Sequence, residues 1–234
     1  MEINIEQNLR AVEARIAAAA KKSGRSADEI QLIAVTKTHP AEMMNEAIKA
    51  GATDVGENKP QEVRDKYADV LPAKWHLIGH LQSNKVKYVI DKCVMIHSVD
   101  SVKLMDEIER QAKMHDTDMD ILIQVNISGE ESKSGIDKSE LDALLSHAGE
   151  LERVHVKGLM TIAPICERQE DTAVYFKAMK ALFDETAKSE YANVEMRYLS
   201  MGMSGDFETA IECGSNMVRV GSAIFGARDY SKQI

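Results

Sequence analysis

Leu32-Ile33-Ala34-Val35-Thr36-Lys37-Thr38-His39-Pro40 is the stretch whose reading decides both fold and chemistry. Leu32 to Val35 make a short apolar run with β-branched residues, the pattern of a fully buried strand. A helix-start signal follows, with Thr38 as N-cap and Pro40 at the first helical position. Lys37 therefore stands where a buried strand emerges into a helix. Desolvation at such a place disfavours the ammonium, lowers its pKa and favours the nucleophilic amine, which can form an imine with an aldehyde. The competing reading is a strand-end lysine that snorkels to water.

On the N-terminal side, residues 5–22 predict a helix. Ile5, Leu9, Val12 and Ile16 share one face, Asn4 caps the start with Gln7 three residues on, and Gly24 ends it. On the C-terminal side, strand and helix patterns alternate to the end of the chain. Strands are expected at 31–36, 53–57, 75–79, 94–99, 121–126, 154–161, 196–200 and 217–220. Helices are expected at about 40–50, 60–70, 83–90, 101–115, 138–150, 169–188 and 206–213, with one further short turn. Val102, Met105 and Ile108 lie on one side of the fourth of these, and the sixth carries Val174, Met179, Leu182 and Phe183. Strands alternating with helices imply a parallel sheet. Eight such units imply an α/β fold, a (β/α)8 TIM barrel with an extra N-terminal helix, in one domain over residues 1–234. An open doubly wound sheet is the alternative, but no Gly-x-Gly-x-x-Gly follows the first strand.

Composition excludes several classes. The chain has 234 residues, 44% hydrophobic and 29% charged, an ordinary soluble balance. A net charge of −9 argues against a general binder of nucleic acid or anionic membrane. No apolar run is long enough to span a bilayer, and Met1-Glu2-Ile3-Asn4 does not open a signal peptide. Cys93, Cys166 and Cys213 fit neither a zinc spacing nor a disulfide framework, so a reducing cytoplasm is the expected compartment. No histidine pair has metal-ligand spacing on a helix, and no metal is expected.

A barrel places function at the C-terminal ends of its strands and holds phosphate with the loops after strands seven and eight. Those loops are Ser200-Met201-Gly202-Met203-Ser204-Gly205-Asp206 and Gly221-Ser222-Ala223-Ile224-Phe225-Gly226. Their glycines allow close backbone approach, and Ser204 and Ser222 offer hydroxyls. Arg219 should point into the barrel mouth, either to a ligand acceptor or to a buried carboxylate such as Glu57. Asn58 follows strand two, His80 follows strand three and Asn126 ends strand five. His76 reads as a packed structural residue, and His97 as a surface or packing residue. The loop from Gly129 to Gly135 lies on the same face. Strands one and eight are neighbours in a closed barrel, so Lys37 and the phosphate loops suit a ligand with an aldehyde and a phosphate. Pyridoxal phosphate has both.

Ala34-Val35-Thr36-Lys37, Gly56-Glu57-Asn58, Trp75 to Lys85, Gly158-Leu159-Met160, Leu199 to Asp206 and Arg219 to Gly226 together resemble the pyridoxal phosphate homeostasis proteins, in register from about residue 5 to Gly226. The resemblance implies a fold-type III barrel like the N-terminal domain of alanine racemase and a Schiff base on Lys37. It implies phosphate contacts from the Ser204 loop, Gly221 and Ser222, with Arg219 near the pyridine nitrogen. The cofactor-binding set expected is Lys37, Asn58, His80, Met201, Ser204, Arg219, Gly221 and Ser222, with no catalytic residue. The family is tied to supply of pyridoxal 5'-phosphate and to amino-acid balance without a firmly assigned activity. The expected partners are the cofactor and apo forms of the enzymes that use it, and a monomer is expected. A small racemase or decarboxylase of fold type III is the rival reading, for which Tyr230 is the late candidate residue. A barrel that binds a sugar phosphate without an imine is the third.

Overall fold

The apolar runs of the sequence are the staves of a closed parallel barrel. A computed structural model describes residues 3–130, 133–164, 166 and 168–226. The strands are β1 (Gln31–Val35), β2 (Asp54–Glu57), β3 (Lys74–Leu77), β4 (Cys93–Val99), β5 (Met119–Gln124), β6 (Val154–Met160), β7 (Val194–Ser200) and β8 (Met217–Val220). Each pairs in parallel with the next, and β8 returns to β1 with Gln31 opposite Met217 and Ala34 opposite Val220. The barrel interior carries Ile33, Met95, Leu122, Met160 and Met217, but also polar His76 and His97.

The helices are α1 (Ile5–Lys22), α2 (Ala41–Lys49), α3 (Pro60–Lys66), α4 (Val102–Met114), α5 (Leu141–Ala148), α6 (Gln169–Thr186), α7 (Phe207–Glu212) and α8 (Ser222–Phe225). The Asn4 side chain accepts from the Gln7 N–H at 2.9 Å and starts α1. Ile5, Leu9, Val12 and Ile16 are buried with Phe207, Ile211, Ile224 and Phe225. Helix α1 therefore covers the seam where β1 meets β8, and Asn8 ties it to α8 by donating to the Ile224 carbonyl at 2.9 Å.

Several local expectations are corrected. Thr38 is not an N-cap. It sits at φ 67°, and its N–H donates to Glu62 Oε2 at 2.8 Å, so the turn is pinned from α3. Pro40 is the cap residue of α2 rather than its first helical residue, and it makes no side-chain cap bond. Residues Ser83–Tyr88 form a 3-10 helix, and a 3-10 turn at Lys138–Glu140 precedes α5. Val102 and Val174 face solvent, the latter 64% exposed; in α6 the buried Thr172, Phe176 and Met179 mark the inner face, and Val174 lies off it. Leu104, Met105, Ile108 and Ala112 make the buried face of α4.

Candidate functional site

A cavity of about 450 Å³ opens at the C-terminal ends of the strands. Its wall includes Lys37 after β1, Asn58 after β2, His80 after β3, Arg219 on β8, Ser204 after β7, and Gly221 and Ser222 after β8. Closure of the barrel at β1 and β8 brings Lys37 to the phosphate-type loops, and a Cβ on Gly221 would stand 3.2 Å from the Val35 carbonyl. Glycine is needed at 79 for the same reason. A Cβ there would lie 2.4 Å from the Asn58 carbonyl, so Gly79 lets the loops bearing Asn58 and His80 share one rim.

Two amides converge on one oxygen. The N–H groups of Gly221 and Ala223 both donate to Ser204 Oγ, at 3.1 and 3.4 Å. Two donors and a hydroxyl meeting at one point form a concavity suited to an anionic oxygen. The second amide is that of Ala223, whereas Ser222 is exposed at the rim. Gly202 makes the approach possible at φ 96°, where a Cβ would meet the Ala210 Cβ at 2.6 Å.

Lys37 is held by its neighbours in sequence. Thr36 Oγ1 donates to Glu57 Oε1 at 2.8 Å, and Lys66 Nζ bridges Glu57 at 2.9 Å and Glu62 at 2.7 Å. Glu62 takes the Thr38 N–H, and His39 stacks on Phe225 at 5.2 Å between ring centres. Residues on both sides of Lys37 are thus fixed from the layer outside the barrel. Glu57 is fully buried, and its Oε2 has no hydrogen-bond partner among the described residues. Burial pushes its carboxyl up from 4.5 to about 7, against the pull of Lys66.

A carboxyl whose pKa rises on folding favours the folded state while protonated. That contribution is complete below pH 4.5 and is lost as pH rises through about 7. Glu57→Gln should therefore gain stability over the parent chain between pH 5 and 8, by up to about 3 kcal/mol. Urea unfolding of both proteins at the two pH values measures it. A gap that does not change with pH would show that Glu57 does not titrate there.

Arg219 does not pair with Glu57, which the topology turns outward to Lys66. It is 3% exposed and donates to Ser200 Oγ at 2.6 Å and to the Thr161 carbonyl at 2.9 Å. Burial lowers its guanidinium to about 10, with Asp206 pulling it up, so it stays charged at neutral pH. Met201 is also corrected. It lies fully buried in the core, and Met203 takes the place on the cavity wall. Asn126 does not reach the cavity; it organises its own loop, donating to the Glu130 carbonyl at 2.8 Å. From that loop Lys133 and Ser134 do line the wall, as does Gln124 at the end of β5. Sequence reasoning named the loop but none of these residues; its position after β5 was the available signal. Tyr230 lies outside the described residues. Among the described residues no group of three or more His, Cys, Asp or Glu is placed to hold a metal ion.

This geometry agrees with what the chain is similar to. The family model of the N-terminal domain of alanine racemase matches residues 7–229. The pyridoxal phosphate homeostasis protein of Aquifex aeolicus is 43% identical over 97% of this chain and 100% of that protein. The homeostasis protein of Escherichia coli K12 is 44% identical over 98% of this chain and 99% of that protein. The chain belongs to the pyridoxal phosphate homeostasis protein family. Another relative, PipY of Synechococcus elongatus, has been solved with pyridoxal phosphate bound. It is 34% identical, with a TM-score of 0.79 over 90% of this chain and 100% of that one. Alanine racemase of Corynebacterium glutamicum shares the fold, with a TM-score of 0.65 at 15% identity. This chain covers 63% of that larger protein. In a pyridoxal phosphate homeostasis protein the two lines of observation meet, because the cavity sits at the strand ends where the shared barrel fold places its sites.

Proposed function

We propose that the protein binds pyridoxal 5'-phosphate as an imine on Lys37 and holds it for supply to apo-enzymes, without turnover of amino acids. The observation that carries this is the meeting, in one cavity, of the Lys37 amine with the Gly221 and Ala223 amides at Ser204 Oγ. Ser204 Oγ occupies the place where a phosphate oxygen would accept from those amides, so the residues present fit the cofactor. When bound, the cofactor would supply an aldehyde electrophile, and Lys37 Nζ would be the amine that holds it, with release of one water. The Gly221 and Ala223 amides would hold the phosphate in place of Ser204 Oγ, which would then be free to donate its hydroxyl to it. Asn58 and His80 line the mouth, and Arg219, on the cavity wall, would be the donor for the ring nitrogen. The working compartment is the cytoplasm and the working state a monomer.

The same residues limit catalysis. Arg219 remains a cation near neutral pH and keeps its protons, so the ring nitrogen accepts a hydrogen bond but no full charge, and the ring is a weak electron sink. The mouth is open at His80, whose side chain is 60% exposed, so water is not excluded. No turnover of free amino acids in the usual enzymatic range of roughly 1–10³ s⁻¹ is expected. Chiral and product analysis of amino acids incubated with the loaded protein checks this, and racemisation or decarboxylation at such rates would favour the enzyme reading. Binding itself is tested by the absorbance of the purified protein and by borohydride trapping.

A further inference from the structure

Arg219 is a buried cation whose two hydrogen-bond partners, Ser200 Oγ and the Thr161 carbonyl, are both uncharged. Asp206 is the nearby carboxylate that favours its charge, but it makes none of these hydrogen bonds. The groups that hold the guanidinium through Ser200 run along the barrel interior. Ser200 Oγ is 3.2 Å from His97 Nδ1, and His97 Nε2 is 3.0 Å from His76 Nδ1. His76 Nε2 is 2.8 Å from Asp54 Oδ1. Asp54 is the first residue of β2, at the end of the barrel away from the cavity, and it is 3% exposed. Gln31 Nε2 and Thr53 Oγ1 also donate to its carboxylate, each at 2.7 Å.

The two ends fix the outer bonds, and keeping every buried hydrogen paired sets the direction of those between. Arginine only donates, so Ser200 Oγ accepts from it and has one hydrogen left to give. His97 Nδ1 is the acceptor that faces this hydrogen; were Nδ1 protonated, Ser200 Oγ would accept from both neighbours on its two lone pairs and its buried hydrogen would lose that partner. His97 then carries its proton on Nε2 and donates to His76 Nδ1. His76 in turn carries its proton on Nε2 and donates to Asp54, a carboxylate that only accepts. In this arrangement both imidazoles carry one proton, in the same tautomer, and the chain runs one way from guanidinium to carboxylate. Burial, with His76 and Arg219 nearby, holds His97 well below the ordinary histidine range, in keeping with a neutral ring. Burial raises the Asp54 carboxyl, but hydrogen bonds from His76, Thr53 and Gln31 outweigh this and leave it lowered and ionised. Hydrogen bonds in series polarise one another, so the negative end makes Ser200 Oγ a stronger acceptor for the guanidinium.

We propose that Asp54, His76, His97 and Ser200 are positioning residues, a one-way hydrogen-bond relay that fixes Arg219 at the cofactor cavity and links it to a second carboxylate at the opposite end of the barrel, in addition to the nearby Asp206. The ligand-side consequence rests on the reading that this cavity holds pyridoxal phosphate. The relay itself is a property of the protein without the cofactor.

The test therefore has two arms. In the cofactor-free protein, nitrogen–proton correlation spectra of labelled histidine should show His76 and His97 neutral and protonated on Nε2 at pH 7. His76→Gln and His97→Gln assign the signals. A cationic ring or an Nδ1 proton on either residue overturns the relay. With pyridoxal phosphate added, His97→Leu should weaken binding about tenfold, the effect of losing one bond to a charged group. It should also shift the pH at which the cofactor absorbance changes. His97→Gln should recover most of both, since an amide accepts on one side and donates on the other as the neutral imidazole does. A folded His97→Leu protein with parental affinity and pH profile overturns the proposal. If His97→Leu does not fold, the tautomers of the parent protein decide. Borohydride labelling of the parent is scored separately, so failure of the imine at Lys37 is not confused with failure of the relay.

Discussion

Lys37→Ala is expected to lose the imine absorbance completely, while the parent protein loaded with pyridoxal phosphate is yellow. The reason is positional. Lys37 leaves the end of β1 directly beside β8, and the cavity wall carries the two amides at Ser204 on the same side. Removing the amine removes the only bond that makes the chromophore, but it leaves the phosphate cradle intact. The variant should therefore still hold some cofactor, released readily on gel filtration. Borohydride reduction of the loaded parent followed by peptide mapping should place the label on Lys37. Lys133 is the lysine to be separated from it, since it lines the same cavity. Lys59 and Lys85 flank an adjoining cleft with Asn58 and His80. A label on any of these three would mean that the imine has been placed on the wrong lysine.

Gly221→Leu should abolish retention of the cofactor while the barrel still folds. Gly221 has φ −118° and ψ −77°, a negative φ, so no left-handed conformation demands glycine. The space does. A Cβ would stand 3.3 Å from the Val35 Cβ, and a larger side chain must push the end of β1 away or enter the cavity. Either displacement misaligns the Gly221 and Ala223 amides. Losing two hydrogen bonds to a charged group, at about 1.5 kcal/mol each, weakens binding about a hundredfold. Equilibrium titration with pyridoxal phosphate measures the loss, and thermal melting with circular dichroism confirms the fold. Parental affinity in a folded variant would remove the two amides from the phosphate site.

The Lys37 and Gly221 expectations differ in what they spare. Lys37→Ala spares the anion cradle and Gly221→Leu spares the amine, so inorganic phosphate should compete for binding in the first and not in the second. The two variants together separate a carrier that needs both groups from a barrel that binds phosphate esters alone.

What the sequence determined by itself is what neighbours in the chain decide. Helix α1 could be read because Ile5, Leu9, Val12 and Ile16 recur at helical spacing behind the Asn4 cap. The barrel could be read because each short apolar run is followed by a helical one, and parallel strands need such crossovers. Lys37 and the glycine-bearing loops of Ser204 and Gly221 could be read because strand ends in this fold share one face. The tertiary structure alone decided how side chains pair across the closed barrel. Lys66, not Arg219, meets Glu57, because β2 turns Glu57 toward α3. Thr38 gives its N–H to Glu62 and takes φ 67° instead of capping α2. Met203 rather than Met201 reaches the cavity, because Met201 continues, with Leu199, the side of β7 that packs under the helices. His97 meets Ser200 across 103 residues of sequence. Such a contact leaves no periodic or spacing signal, since closing the barrel brings the two strands to one interior, where a buried polar group must find its partner wherever the chain supplies one.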